Sequence, residues 1–361
     1  MLATKLGGLL NLGAVTATVV TVGGALAGTC FGAAIVGKIR PVEIAQKLSQ
    51  SLEAMKSEYR RPDFIPFPEE NPFTLEKVSL GKALYFDTRL SATSAQSCAS
   101  CHSPGFGWGD GLAVGVGHGM IRLGRRSPSI VNAAWGGIFM WDGRAASLEE
   151  QALGPIQSAA EMNMPIKGLM DRLTSIPGYE RLFAAAFPRE GITPRTLANA
   201  IATYERTVVS DLAPFDAWID GDERAISREA IRGFVIFNTK GRCSSCHEGW
   251  NFSNESFHDI GLPSEDLGRG ELLKNVSKMQ HAFKTPGLRE IANRSPYMHD
   301  GSIGTLEDVV EHYDRGGIDR PSRSDLIKPL ALTAEEKADL VAFLKTLTSN
   351  PDPTTVPLLP R

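Results

Sequence analysis

Cysteine is scarce in this chain, at five in 361 residues. Four of the five fall into two close pairs and Cys30 is left over, so no structural disulfide is expected. A basic excess is missing as well. Thirty-eight Lys and Arg stand against 41 Asp and Glu, for a net charge of −3, and nothing points to nucleic acid as a partner. Strand-like alternation of apolar and polar residues is absent over any length, which argues against a β-rich fold. Charge is absent from Leu6 to Gly37, a run bracketed by Lys5 and by Lys38 and Arg40. That run exceeds the roughly 7–15-residue core of a secretory signal and suffices for the ~20 residues that span a bilayer. Ala25-Leu26-Ala27 fits a signal-cleavage pattern, while the many glycines weaken a membrane helix. A cleaved signal peptide and a retained anchor over residues 6–37 both stay open.

The two cysteine pairs are Cys98-Ala99-Ser100-Cys101-His102 and Cys243-Ser244-Ser245-Cys246-His247. C-x-x-C-H is the attachment signature of haem c: the thiols bond the haem vinyl groups, and the histidine is the proximal iron ligand. A zinc ribbon would hold its pairs about 15–20 residues apart, far closer than these. A thioredoxin-like thiol pair would need a preceding strand, and neither pair has one. Two covalently bound haem c groups are therefore expected. Bacterial haem c is attached outside the cytoplasm, which places the protein in the periplasm, either free after signal cleavage or anchored to the inner membrane.

Each motif has a similar lead-in. Leu80-Gly81-Lys82-Ala83-Leu84-Tyr85-Phe86 precedes the first, and Arg232-Gly233-Phe234-Val235-Ile236-Phe237 precedes the second. In both, an aromatic follows a glycine by four residues, so that a second helix approaches the glycine closely and the aromatic packs beside it. The pattern resembles the first helix of cytochrome c domains. Pro-rich sequence from Ser57 to Pro72 reads as a linker, and the glycine-dense stretch Gly105 to Gly124 as a long functional loop. Helices are expected around Ser147–Leu153 and Thr196–Val209, and another opened by the capping box Thr333-x-x-Glu336. Asp211 to Asp222 reads as an interdomain passage. The expected fold is all-α, with two cytochrome c-like haem domains in tandem at 41–222 and 223–361, after a signal or anchor at 1–40.

Two longer signatures follow. One runs from Trp141-Asp142-Gly143-Arg144 through Gln151 and Pro155 to Glu161-Met162; the other joins Thr285-Pro286-Gly287-Leu288-Arg289 to Ser295-Pro296-Tyr297-Met298-His299-Asp300-Gly301. In order and spacing they resemble the bacterial dihaem cytochrome c peroxidase and MauG family, over roughly Leu80 to Thr348. The resemblance implies a peroxidase that reacts with hydrogen peroxide at the first haem. Glu161 then matches a carboxylate that shuttles a proton between peroxide oxygens, Gln151 a polar residue that bonds the bound oxygen, and Trp141 an indole between the haems. The electron donor would be a protein substrate or a small redox protein.

Some positions sort members of that family. Fourteen residues after His299, where a methionine ligates the second haem of peroxidases fed by redox proteins, this chain has Tyr313, the MauG-like choice. Helix geometry agrees: Thr305 can cap a helix that puts Leu306, Val309, Val310 and Tyr313 on one face, with His312 about 100° away and Gly316-Gly317 at its end. His118, sixteen residues after His102, matches a histidine that caps the first haem at rest in other members, so both subgroups are represented. Asn132, with the carbonyls of Arg294 and Pro296, matches a calcium site, although Arg294 stands where threonine is usual. Gly241 replaces a surface tryptophan that MauG uses toward its protein substrate, which argues against the same partner surface.

Overall fold

The computed structural model describes residues 50–361. The apolar run at 6–37 and Cys30 lie outside the described residues. Among the described residues no helix is long and apolar enough to cross a membrane.

The first half is built on α1 (Leu75–Phe86), α2 (Leu148–Gln157), α3 (Ile166–Thr174), α4 (Pro177–Ala186) and α5 (Pro194–Arg206). Thr74 caps α1 by accepting the Lys77 N–H, and Ser147 caps α2 by accepting that of Glu150. α1 crosses α5 at Gly81, where a Cβ would sit 1.9 Å from the Ala200 carbonyl oxygen. Any side chain there would push the helices apart. Leu80, Leu84, Leu169, Phe183, Leu197 and Ile201 are fully buried around this crossing.

The second half repeats the device with α6 (Pro214–Ile219), α7 (Arg228–Asn238), α8 (Leu306–Arg315) and α9 (Ala334–Lys345). α7 crosses α9 at Gly233, where a Cβ would lie 2.0 Å from the Asp339 carbonyl oxygen. Thr333 and Glu336 form the expected capping box. Tyr85 and Phe237, the aromatics four residues after each glycine, are both buried. Strand content among the described residues is one antiparallel pair, Phe257–His258 with Phe283–Lys284. The fold is mostly α, and long irregular segments fill the space between helices.

The cores divide at a different place from the one the sequence suggests. Asp211 to Asp222, read as a passage, contains α6, whose Phe215, Trp218 and Ile219 belong to the core of the second half. Tyr59, from the Pro-rich linker, joins the same core and stacks on Phe252 at 4.8 Å. A boundary after residue 222 therefore cuts through this core. α6 is six residues long, too short for helical periodicity to show. The C-terminus crosses the other way: the Arg361 carbonyl accepts the Gly178 N–H at 2.8 Å, and that of Pro360 accepts from Arg89 at 2.9 Å.

Candidate haem sites and the residues between them

Cys98–Cys101 forms one helical turn, and His102 follows directly. Its Nδ1 lies 2.8 Å from the Pro128 carbonyl oxygen. A carbonyl only accepts, so Nδ1 carries the proton and Nε2 keeps its lone pair for a metal. Burial pushes the imidazole pKa down, which favours this neutral form. A cavity of about 420 Å³ opens beside it, lined by Cys98, Cys101, His102, Trp141, Gln151 and Glu161 among others. Gln151 stands on α2, and Glu161 on the turn after it, where its N–H donates to the Ser158 carbonyl at 3.0 Å. The structure thus brings together two thiols, a metal-ready imidazole, an amide and a carboxylate.

His118 is placed differently. The loop lines this cavity with Gly117, and His118 is not among the lining residues. The His118 N–H donates to the Ala160 carbonyl at 3.0 Å, which holds the loop against the turn carrying Glu161.

The second motif repeats the ligand geometry. His247 Nδ1 lies 2.9 Å from the Phe252 carbonyl, and burial pushes its pKa down to about 4. A cavity of about 190 Å³ is lined by Cys243, Cys246, His247 and Tyr313. Thr305 caps α8 by accepting the Asp308 N–H, and Gly316 ends it in the left-handed conformation at φ 81°. Burial raises the Tyr313 phenol pKa, so a phenolate there requires a bound cation to favour it. His312 does not line the cavity; its Nε2 lies 3.0 Å from the Ile260 carbonyl. Gly241 is buried against this cavity, and a Cβ there would lie 2.9 Å from the Ile236 carbonyl oxygen.

Trp141 lines both cavities, and also a third of about 270 Å³ between them. Its Nε1 donates to the Arg126 carbonyl at 2.8 Å, which fixes the ring. The thiols, imidazoles and flanking cavities fit two haem groups. The calcium donors fit less well. Asn132 is buried with its Oδ1 accepting the Ser210 N–H at 3.0 Å, and the Arg294 carbonyl accepts from Arg126 Nη2 at 2.7 Å.

Sequence reasoning used His299 only as a point to count from and missed Glu205. His299 lines the second cavity, stacked on Phe283 at 3.5 Å. Glu205, on α5, lines the first and middle cavities; Arg206, next to it, pairs instead with Glu149 at 2.6 Å. Burial raises the Glu205 pKa from 4.5 to about 8, and Oε2 has no hydrogen-bond partner. The available signal was a carboxylate next to the apolar stripe of α5. The folded protein holds this proton more tightly than the unfolded chain does. The resulting stability is full below the unfolded pKa and is lost as pH rises toward 8. Glu205→Gln should remove that loss, on the order of a few kcal/mol. Thermal melts of both holoproteins from pH 5 to 8 check this; parallel profiles would refute it.

The profile of the di-haem cytochrome c peroxidases matches residues 75–224. Methylamine utilization protein MauG of Methylorubrum extorquens is 50% identical over 345 residues, covering 94% of this chain and 96% of that one. The chain belongs to the dihaem cytochrome c peroxidase family. Within that family, the cytochrome c551 peroxidase of Pseudomonas aeruginosa is 35% identical, covering 82% of this chain and 87% of that one. A solved structure of a MauG-like protein associated with microbial copper homeostasis has a TM-score of 0.74 at 32% identity, covering 80% of this chain and 94% of that one. The protein is a MauG-like dihaem peroxidase, an oxidoreductase that acts on peroxide.

Proposed function

We propose that the protein is periplasmic and binds haem c covalently at Cys98, Cys101 and His102 and at Cys243, Cys246 and His247, in two domains, the second of which takes in Tyr59 and α6. Haem supplies the iron at which hydrogen peroxide is reduced. Around it, Glu161 takes a proton from one peroxide oxygen and returns it to the other. Gln151 would donate a hydrogen bond to peroxide in the first cavity, and Trp141, which lines both cavities, would carry electrons between the two centres. His247 and Tyr313 would hold the second haem, and the two electrons that reduce peroxide to water come from a protein substrate or a small redox protein. With Gly241 buried, an oxidised partner would dock elsewhere than over that position.

The observation that carries this reading is that Tyr313 shares the second cavity with His247. Met298 also lines that cavity, which keeps a peroxide-detoxifying enzyme with a methionine-ligated haem as the second reading. Stopped-flow addition of peroxide to the fully oxidised protein separates the two. An immediate optical change without reductant is expected. A reaction that begins only after partial reduction would favour the detoxifying enzyme.

A further inference from the structure

Arg126 and Arg294 meet between the two halves. Arg126 Nη2 donates to the Arg294 carbonyl at 2.7 Å, while Arg294 Nη1 donates to the carbonyls of Arg289 at 2.7 Å and Gly287 at 3.1 Å. Arg289 nearby has a carboxylate, Asp216, at 2.8 Å. Among the described residues neither Arg126 nor Arg294 is paired with one, and the Nε of each is buried without a hydrogen-bond partner. Burial lowers both pKa values, that of Arg294 to about 10, so its charge persists at neutral pH.

We propose that this arginine pair is the cationic bridge between the haem-binding halves, and that it takes the place of calcium. Calcium requires six to eight oxygens at about 2.3–2.6 Å, several of them usually carboxylate. Here Asn132 Oδ1 is committed to the Ser210 N–H and the Arg294 carbonyl to a guanidinium. No cluster of three or more acidic, His or Cys residues able to hold a metal occurs among the described residues. Two guanidiniums together carry the charge of one divalent ion, and they repel a further cation. They also supply what a spherical ion lacks, directed N–H donors: Arg126 reaches across to the Arg294 carbonyl, and Arg294 ties the carbonyls of its own half. Arg126 lines both the first and the middle cavity, and Arg294 the middle one. The carboxylates that a haem carries have the right chemistry to neutralise them. That last point rests on the reading of both cavities as haem sites; the replacement of calcium does not.

The test uses full-length holoprotein, dialysed with and without EGTA. Elemental analysis should find calcium far below one per chain, and EGTA should leave the visible and paramagnetic resonance spectra unchanged. Millimolar calcium chloride should not shift the thermal midpoint. One calcium retained per chain, or a spectrum altered by EGTA, overturns the proposal whether or not the protein reduces peroxide. The double variant Arg126→Ala with Arg294→Thr clears the guanidiniums and keeps the backbone carbonyl. Its midpoint should fall by about 5 °C or more, and calcium should restore it. A double variant as stable as the wild type, or a loss that calcium leaves unrepaired, overturns the exchange of ion for arginines. If that variant does not fold, the wild-type measurements decide.

Discussion

Glu161→Gln is expected to slow the reaction with hydrogen peroxide by about 100-fold or more, with both haems still attached. The carboxylate lines the first cavity together with Gln151 and Trp141. Cleaving the O–O bond needs a proton removed from one oxygen and delivered to the other. A glutamine of the same shape still donates and accepts hydrogen bonds, but it has no carboxylate to exchange a proton. The substitution therefore tests proton transfer apart from space filling. Glu161 is held by its backbone, through the Ser158 carbonyl, so the turn should survive the change. Haem stoichiometry and the resting spectrum should match the wild type, which separates lost chemistry from lost cofactor. A stopped-flow rate within about threefold of wild type would remove Glu161 from the role.

The clearest readings from sequence were those with a steric or covalent cause. Gly81 and Gly233 were read as close-approach positions, and each lies where a Cβ would collide with a carbonyl of the facing helix. Thr305, Gly316 and the Thr333 box begin or end helices for reasons local to the chain, and so they were visible in one dimension. Tyr313 was placed by counting and by helix face, and the structure brings it to the cavity of His247 while turning His312 away. What escaped depends on contacts between distant segments. α6 and Tyr59 join the second core through partners far along the chain. Glu205 is unusual only because α5 buries it beside a cavity, and Arg126 only because its donor reaches a carbonyl 168 residues away. His118 has the spacing from His102 that the family resemblance implies and a buried Nδ1 without a hydrogen-bond partner, but it does not line the first cavity. Gly117, beside it, faces that cavity.

Tyr313→Met should raise the reduction potential of the second haem by on the order of 100 mV or more. A phenolate carries a full negative charge and stabilises the oxidised iron, whereas a thioether is neutral and favours the reduced form. The phenol pKa is raised by burial in the folded chain, so its proton must leave when the iron binds. This gives the wild type a signature that a merely packed tyrosine would lack: the potential should depend on pH, because the phenolate takes up a proton and leaves the iron on reduction. The variant, with no proton to exchange, should lose that dependence. Its behaviour should also shift toward an enzyme that must be partly reduced before it turns over peroxide. Redox titration followed by optical spectroscopy, on both proteins and at several pH values, measures all of this. The contrary result is specific. If the wild type already has a high-potential haem with the near-infrared band of methionine ligation, then Met298, the thioether lining that cavity, becomes the candidate ligand. Tyr313 would then be a packed core residue of α8, and the second haem a store of electrons rather than of oxidising equivalents.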